Sequence, residues 1–188
     1  MRFASLGQPV IPIALALLAA LGCRSQPKEP DVAALIADLS SDDAEKSGKA
    51  SVTIVGKGEL AVAGLVEMLG NPDPKLRARA ATTLWGLGAS ARAAVPALGA
   101  ALKDAEVSVR RAAASALGNM GELALPALRD LTAALNDSDN QVRQLSAKAL
   151  GAIGPAAKAA LPALDALARR EGLRETAEEA RKKISGGR

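Results

Sequence analysis

The chain is 188 residues long, carries a net charge of +4, and contains no His, no Tyr, one Cys, one Phe and one Trp. That inventory excludes His-dependent triads and general bases, zinc sites built from His and Cys, disulfide frameworks and aromatic platforms for single-stranded nucleic acid. A surplus of four positive charges is too small to argue for nucleic acid by itself. Hydrophobic residues make up 49%, mostly Ala and Leu, which is enough to bury a core of small side chains.

The first thirty residues read as an address. Arg2 gives a short positive start, and Val10 to Leu21 is an apolar run broken only by Pro12. The run has the length of a signal-peptide core and falls short of the roughly 20 residues that span a bilayer. Its end, Ala20-Leu21-Gly22-Cys23, resembles the lipobox of bacterial lipoproteins, with Ala20 and Leu21 in reversed order relative to the family pattern. The resemblance implies that residues 1–22 are a signal peptide and that Cys23 carries a lipid and becomes the new N-terminus. Arg24 is not the Asp that marks inner-membrane retention in that family. The alternative is an ordinary secretory signal cut near Gly22, with Cys23 incidental. Residues 23–30 then form the lipidated Cys and a short tether, 31–185 the folded domain and 186–188 a tail.

The domain is a repeat of thirty-three residues. Arg77, Arg110 and Arg143 are evenly spaced, and so are Asn71, Asp104 and Asp137 and the glycines Gly88, Gly121 and Gly154. Apolar columns run in step through Leu84, Leu117 and Leu150 and through Leu76, Val109 and Val142. Within a unit, Val109, Ala113, Ala116, Leu117 and Met120 recur at helical steps, as do Val95, Leu98 and Leu102. Each unit therefore predicts two short helices. Asp104 and Asp137 are expected to cap the second helix. The three glycines are expected to end it in a left-handed conformation. Pro96 and Pro162 suit the first turn of the next helix, and Pro126 predicts a helix that starts about one turn earlier in its unit. Val32 to Leu39 and Asp43 to Val55 read as a degenerate first pair. Leu161 to Ala168 and Leu173 to Ile184 read as a charged closing pair.

The units beginning Val95-Pro96-Ala97-Leu98 and Leu128-Arg129-Asp130-Leu131 resemble HEAT repeats, near the short HEAT-like class of phycobilin lyases. The resemblance covers residues 31–185. It implies an all-α fold, a right-handed α-α superhelix of about five helix pairs whose second helices line a concave face. It also implies that Arg77, Arg110 and Arg143 are repeat-stabilising residues that pair with the Asp column, Asp104 and Asp137, of a neighbouring unit.

Few residues offer chemistry. Asp137-Ser138-Asp139-Asn140-Gln141 starts like a calcium loop, but Gln141 and Val142 fail its fifth and sixth positions, so it reads as a repeat turn. Gly56-Lys57-Gly58 lacks the spacing of a phosphate loop. Asp42 and Asp43, beside two serines, suit a helix start better than a glycosidase pair. Trp85 occupies the column held by Gly118 and Gly151 in the next units. It either fills a gap between helices, the plainer reading, or projects as a partner contact. If it projects, helical stepping puts Lys75, Arg79, Thr82, Ser108, Ser115, Gln141 and Lys148 on the same stripe.

Residues 31–75 hold eight acids and four bases, and residues 76–188 eleven acids and seventeen bases. The expected function is a protein-interaction scaffold: an exported, lipid-anchored HEAT array that holds a protein of the cell envelope. No catalytic residue, metal, cofactor, nucleic acid or small-molecule substrate is expected. The alternatives are a structural spacer or stabilising subunit of an envelope complex, and a HEAT-like lyase-type enzyme, for which one Trp and no His leave little to build a pocket.

Overall fold

A computed structural model describes residues 31–186. Cys23, the apolar run before it and the tether lie outside the described residues. The described residues form ten α-helices in five antiparallel pairs: α1 (Val32–Leu39) with α2 (Ala44–Lys57), α3 (Val62–Met68) with α4 (Pro74–Leu87), α5 (Val95–Ala101) with α6 (Val107–Met120), α7 (Leu128–Ala134) with α8 (Asn140–Ile153), and α9 (Leu161–Ala168) with α10 (Arg174–Ile184). No strand occurs among them.

Each second helix leads into a 3-10 stretch that runs up to the next first helix, as in Gly88–Ala94, Gly121–Ala127 and Gly154–Ala160. The entry glycines Gly88, Gly121 and Gly154 have φ of 52°, 56° and 72° with ψ of −124°, −128° and −146°. The sequence reading of a left-handed helical end is corrected here. A positive φ with strongly negative ψ is the mirror image of extended backbone, which only Gly visits cheaply. Pro126 lies inside its 3-10 stretch, and α7 begins at Leu128, thirty-three residues after α5 begins at Val95. The expected early helix start is therefore wrong. The 3-10 stretch absorbs the proline's missing N–H without moving the α-helix.

The core is a single run of small and branched side chains. Leu84, Leu117 and Leu150 are fully buried in successive second helices, as are Leu98, Leu131 and Leu164 in the first helices. Burying a Leu side chain is worth roughly 1.5–3 kcal/mol, and Ala at 80, 81, 113, 114, 147 and 149 lets the helices approach closely between them. α4 packs on α6, α6 on α8 and α8 on α10, whereas successive first helices touch sparsely. The second helices thus form one continuous side of the array, which in a HEAT-type solenoid is the inner side. The α2–α4 contact is less extensive than the others.

The two ends are polar. Lys46, Lys49 and Thr53 occupy the positions of α2 at which α6 buries Val109 and half-buries or buries Ala112 and Ala116 against its predecessor. At the other end, α10 exposes Glu178, Arg181 and Lys182. Polar terminal helices of this kind keep a stack from extending.

Candidate interaction surface

The inner side is built from the positions of each second helix that face away from the core. On α6 and α8 the column that contains Trp85 is Gly118 and Gly151. A Cβ on Gly118 would sit 3.6 Å from the Ala149 Cα, and one on Gly151 only 3.0 Å from the Ala180 Cα. Gly thus lets neighbouring helices meet backbone to backbone. No void exists at that column for an indole, and Trp85 is 48% exposed. The gap-filling reading is overturned: the ring projects along the inner side. Its backbone is pinned, because the Asn119 Nδ2 of the next repeat donates to the Trp85 carbonyl at 2.8 Å.

Trp85 is not isolated. The first 3-10 stretch, Gly58–Ala61, has four residues where the later ones have seven, so α2 aligns with α4 at an offset of thirty. Val52 and Val55 therefore share the columns of Thr82 and Trp85. Val55 lies against α4, since a Cβ on Gly86 would meet its Cγ2 at 2.9 Å. Val52 is 75% exposed. The patch of Val52, Val55, Thr82 and Trp85 straddles the loosest contact between successive second helices. The sequence reading missed the two valines, because extending the thirty-three-residue spacing backwards puts α2 three residues out of register.

Of the other stripe residues, Lys75, Thr82, Ser108, Gln141 and Lys148 are exposed and Ser115 is half-buried. Ser115, Gly118, Leu145, Lys148, Glu179 and Lys183 line a shallow groove of about 410 Å³ between α6, α8 and α10. Lys183 bridges Glu179 at 2.8 Å, and this hydrogen bond and charge, with Lys148 nearby, hold Glu179 below the usual carboxylate range. Arg79 does not belong to the surface, and its assignment as a partner contact is corrected. Its Nη1 donates to the carbonyls of Leu39 (2.6 Å) and Ser41 (2.9 Å), so it ties α4 to the α1–α2 turn.

The arginine column forms a ladder between repeats. Arg77 donates from Nε and Nη2 to Asp104 at 2.7 Å each, and its Nη1 reaches the Asn71 and Pro72 carbonyls. Arg110 makes the same contacts one repeat on, to Asp137 at 2.7 and 3.0 Å and to the Asp104 and Ala105 carbonyls. Each guanidinium thus ties its own turn to the next. The Arg77 hydrogen bond lowers the Asp104 pKa; at Asp137 burial opposes ionisation, but hydrogen bonds from Arg110 and the Asp139 N–H outweigh it, and the net direction is again down. The ladder ends at Arg143. Its Nη1 reaches the Asp137 and Ser138 carbonyls, but its buried Nε has no partner, and Arg170 stands where the column calls for an acid.

Asp104 and Asp137 are not the helix caps the sequence suggested. Asp73 and Asp139, two residues further along their turns, cap α4 and α8, and Glu106 occupies that place before α6. Asp104 and Asp137 instead accept the N–H of Glu106 and Asp139 within the turn. Asp139 also receives Arg111 from the previous repeat, a second cross-repeat pair that the spacing analysis missed because its column reads Ala78, Arg111, Gln144. With Asp137 and Asp139 each held by an arginine, the calcium-like turn is occupied by protein cations. No group of His, Cys, Asp and Glu suited to a metal occurs among the described residues. A separate apolar cleft of about 540 Å³ lies among the 3-10 stretches, lined by Val62, Val95, Pro96, Leu123 and Pro126.

The family described as HEAT repeats matches residues 62–134, and the single HEAT repeat matches residues 127–157. No curated protein matches the chain. Among solved structures, the complex of CpcE and CpcF of phycocyanin lyase from Nostoc sp. PCC7120 is similar at 23% identity and TM-score 0.68, over 80% of this chain and 97% of that one. A designed armadillo repeat protein in complex with the peptide (KR)4 is similar at 18% identity and TM-score 0.64, over 81% of each chain. At these identities the likeness shows the fold alone. The repeats, the helix pairs and these matches together define an α-solenoid, and the chain belongs to the HEAT-repeat family.

Proposed function

We propose that the chain is a protein-interaction scaffold whose partner docks on the inner side of the array, anchored by the patch of Val52, Val55, Thr82 and Trp85. The exposure of Trp85 carries this reading. A large aromatic left half exposed at a column otherwise held by Gly goes beyond what the stack needs there, and Trp is enriched among the residues that dominate interface binding energy. A similar designed repeat protein holds a peptide, which supports the same use of this fold. The lipobox-like Ala20-Leu21-Gly22-Cys23 supports a scaffold that is exported and held on a membrane through lipid at Cys23. The test is a photo-crosslinking residue at position 82, with a control at exposed Arg129 on α7, in cells producing the full chain. One defined partner captured from position 82 and not from 129 supports the scaffold reading; capture from 129 alone overturns it. Intact mass of the membrane-fraction protein and of its Cys23→Ser variant tests the address: loss of residues 1–22 with added acyl chains, absent from the variant, is the expected result. An unmodified chain would remove the anchor.

A further inference from the structure

The three central second helices carry charge of one sign, and acids return to the inner side only on the terminal helices, as at Glu179 of α10. Helices α4, α6 and α8 contain no Asp or Glu at all, yet they hold Lys75, Arg77, Arg79, Arg110, Arg111, Arg143 and Lys148. Arg77, Arg110 and Arg111 meet the carboxylates of the turns, and Arg79 and Arg143 meet backbone carbonyls. The arginines are thereby held within the fold. Lys148 is different. It stands exposed in the groove between α6 and α10 and makes no hydrogen bond or ion pair among the described residues, beside a Glu179 already bridged by Lys183. The apolar patch at Trp85 lies two repeats away along the same side.

From this arrangement, and resting on the inner-side reading above, we infer that the partner presents an extended segment with a large apolar side chain near one end and an acidic residue near the other, the first on Trp85 and Val52 and the second on Lys148. Charge complementarity selects the acid: a basic segment would find no free carboxylate along α4, α6 or α8. The spacing follows from the stack. Packed helices lie 8–10 Å apart, so two repeat steps give roughly 20 Å between the two anchors. An extended chain covers that in about six residues. Glycine and small side chains between the anchors, at Ser115 and Gly118, leave room for a backbone to lie close.

The experiment is selection from a display library of random twelve-residue peptides on the immobilised full chain in nonionic detergent. The expected consensus is a large apolar residue about six positions from an Asp or Glu. Selection on Lys148→Glu is expected to replace the acid with Lys or Arg, and selection on Trp85→Ala to remove the apolar position while keeping the acid. A basic consensus, no consensus, or one that ignores Lys148→Glu overturns the inference. So does a shift of Trp85 emission with phosphatidylglycerol vesicles and with no selected peptide, which would make the surface a membrane contact, or self-association in sedimentation that Trp85→Ala abolishes. Failure here and failure of the scaffold reading are distinguishable: a partner captured from position 82 whose binding changes less than twofold in Lys148→Glu leaves the scaffold standing and removes the acidic segment.

Discussion

Arg110 is almost fully buried, and its donors are shared between the Asp137 carboxylate and Ser138 hydroxyl of the next repeat and two carbonyls of its own turn. Removing it leaves Asp137 with a buried charge and two carbonyls without donors. Hydrogen bonds to charged groups are worth about 1.5–3 kcal/mol each way of counting, so Arg110→Ala is expected to destabilise by about 2 kcal/mol, read from urea unfolding. Arg143→Ala should lose less than half as much, because its Nε bridges nothing across the repeats. Equal losses would mean that the ladder contributes through packing alone. The bridges also set a pH dependence. Asp104 and Asp137 have folded pKa values below their unfolded ones, so their stabilisation is complete above the unfolded value of about 4 and is lost as pH falls through the folded value. The melting temperature is therefore expected to hold level from neutral pH down to about 5 and to fall below about 4. In Arg110→Ala that acid-side fall should be shallower.

At the scale of the helix, the distinction between Gly118 and Gly151 gives a sharp comparison. Ala is favoured over Gly inside a helix by up to about 1 kcal/mol. At Gly118 the new methyl would meet Ala149 at ordinary contact distance, so Gly118→Ala should keep or raise the melting temperature. At Gly151 it would press on the Ala180 backbone at 3.0 Å, so Gly151→Ala should lower it by prising α10 from α8. Thermal melts of the two variants decide this, and the reverse order would contradict the packing described. Helix periodicity, the repeat length and the glycine ends were legible in the sequence because each recurs every thirty-three residues. What was not legible depended on departures from that spacing. The shortened Gly58–Ala61 stretch hid the alignment of Val55 with Trp85. The use of Asp139 rather than Asp137 as the cap could not be told from two acids two residues apart. Arg79 looked free because its acceptors are backbone carbonyls forty residues away, which leave no mark in composition.

The whole array is a stack in which each pair meets only its neighbours, closed by polar helices at both described ends. Leu117, fully buried in the central repeat, belongs to the α6 layer between α4 and α8. Leu117→Asp puts an unpaired charge there and is expected to abolish the cooperative helical melt by circular dichroism; an unchanged midpoint and steepness would refute the stacking order. The fold could be read from the sequence almost whole, but the partner surface could not. Repetition identifies what holds the stack together, whereas a binding surface shows itself where one repeat differs from the rest, and a single Trp in a glycine column does not reveal which way its ring points. The most direct test of the interaction surface uses that ring, the only Trp in the chain. Acrylamide quenching of Trp85 should be strong in the free protein and fall several-fold when the partner captured from position 82 is added. Bound partner with quenching unchanged would contradict the docking of that partner on the inner side.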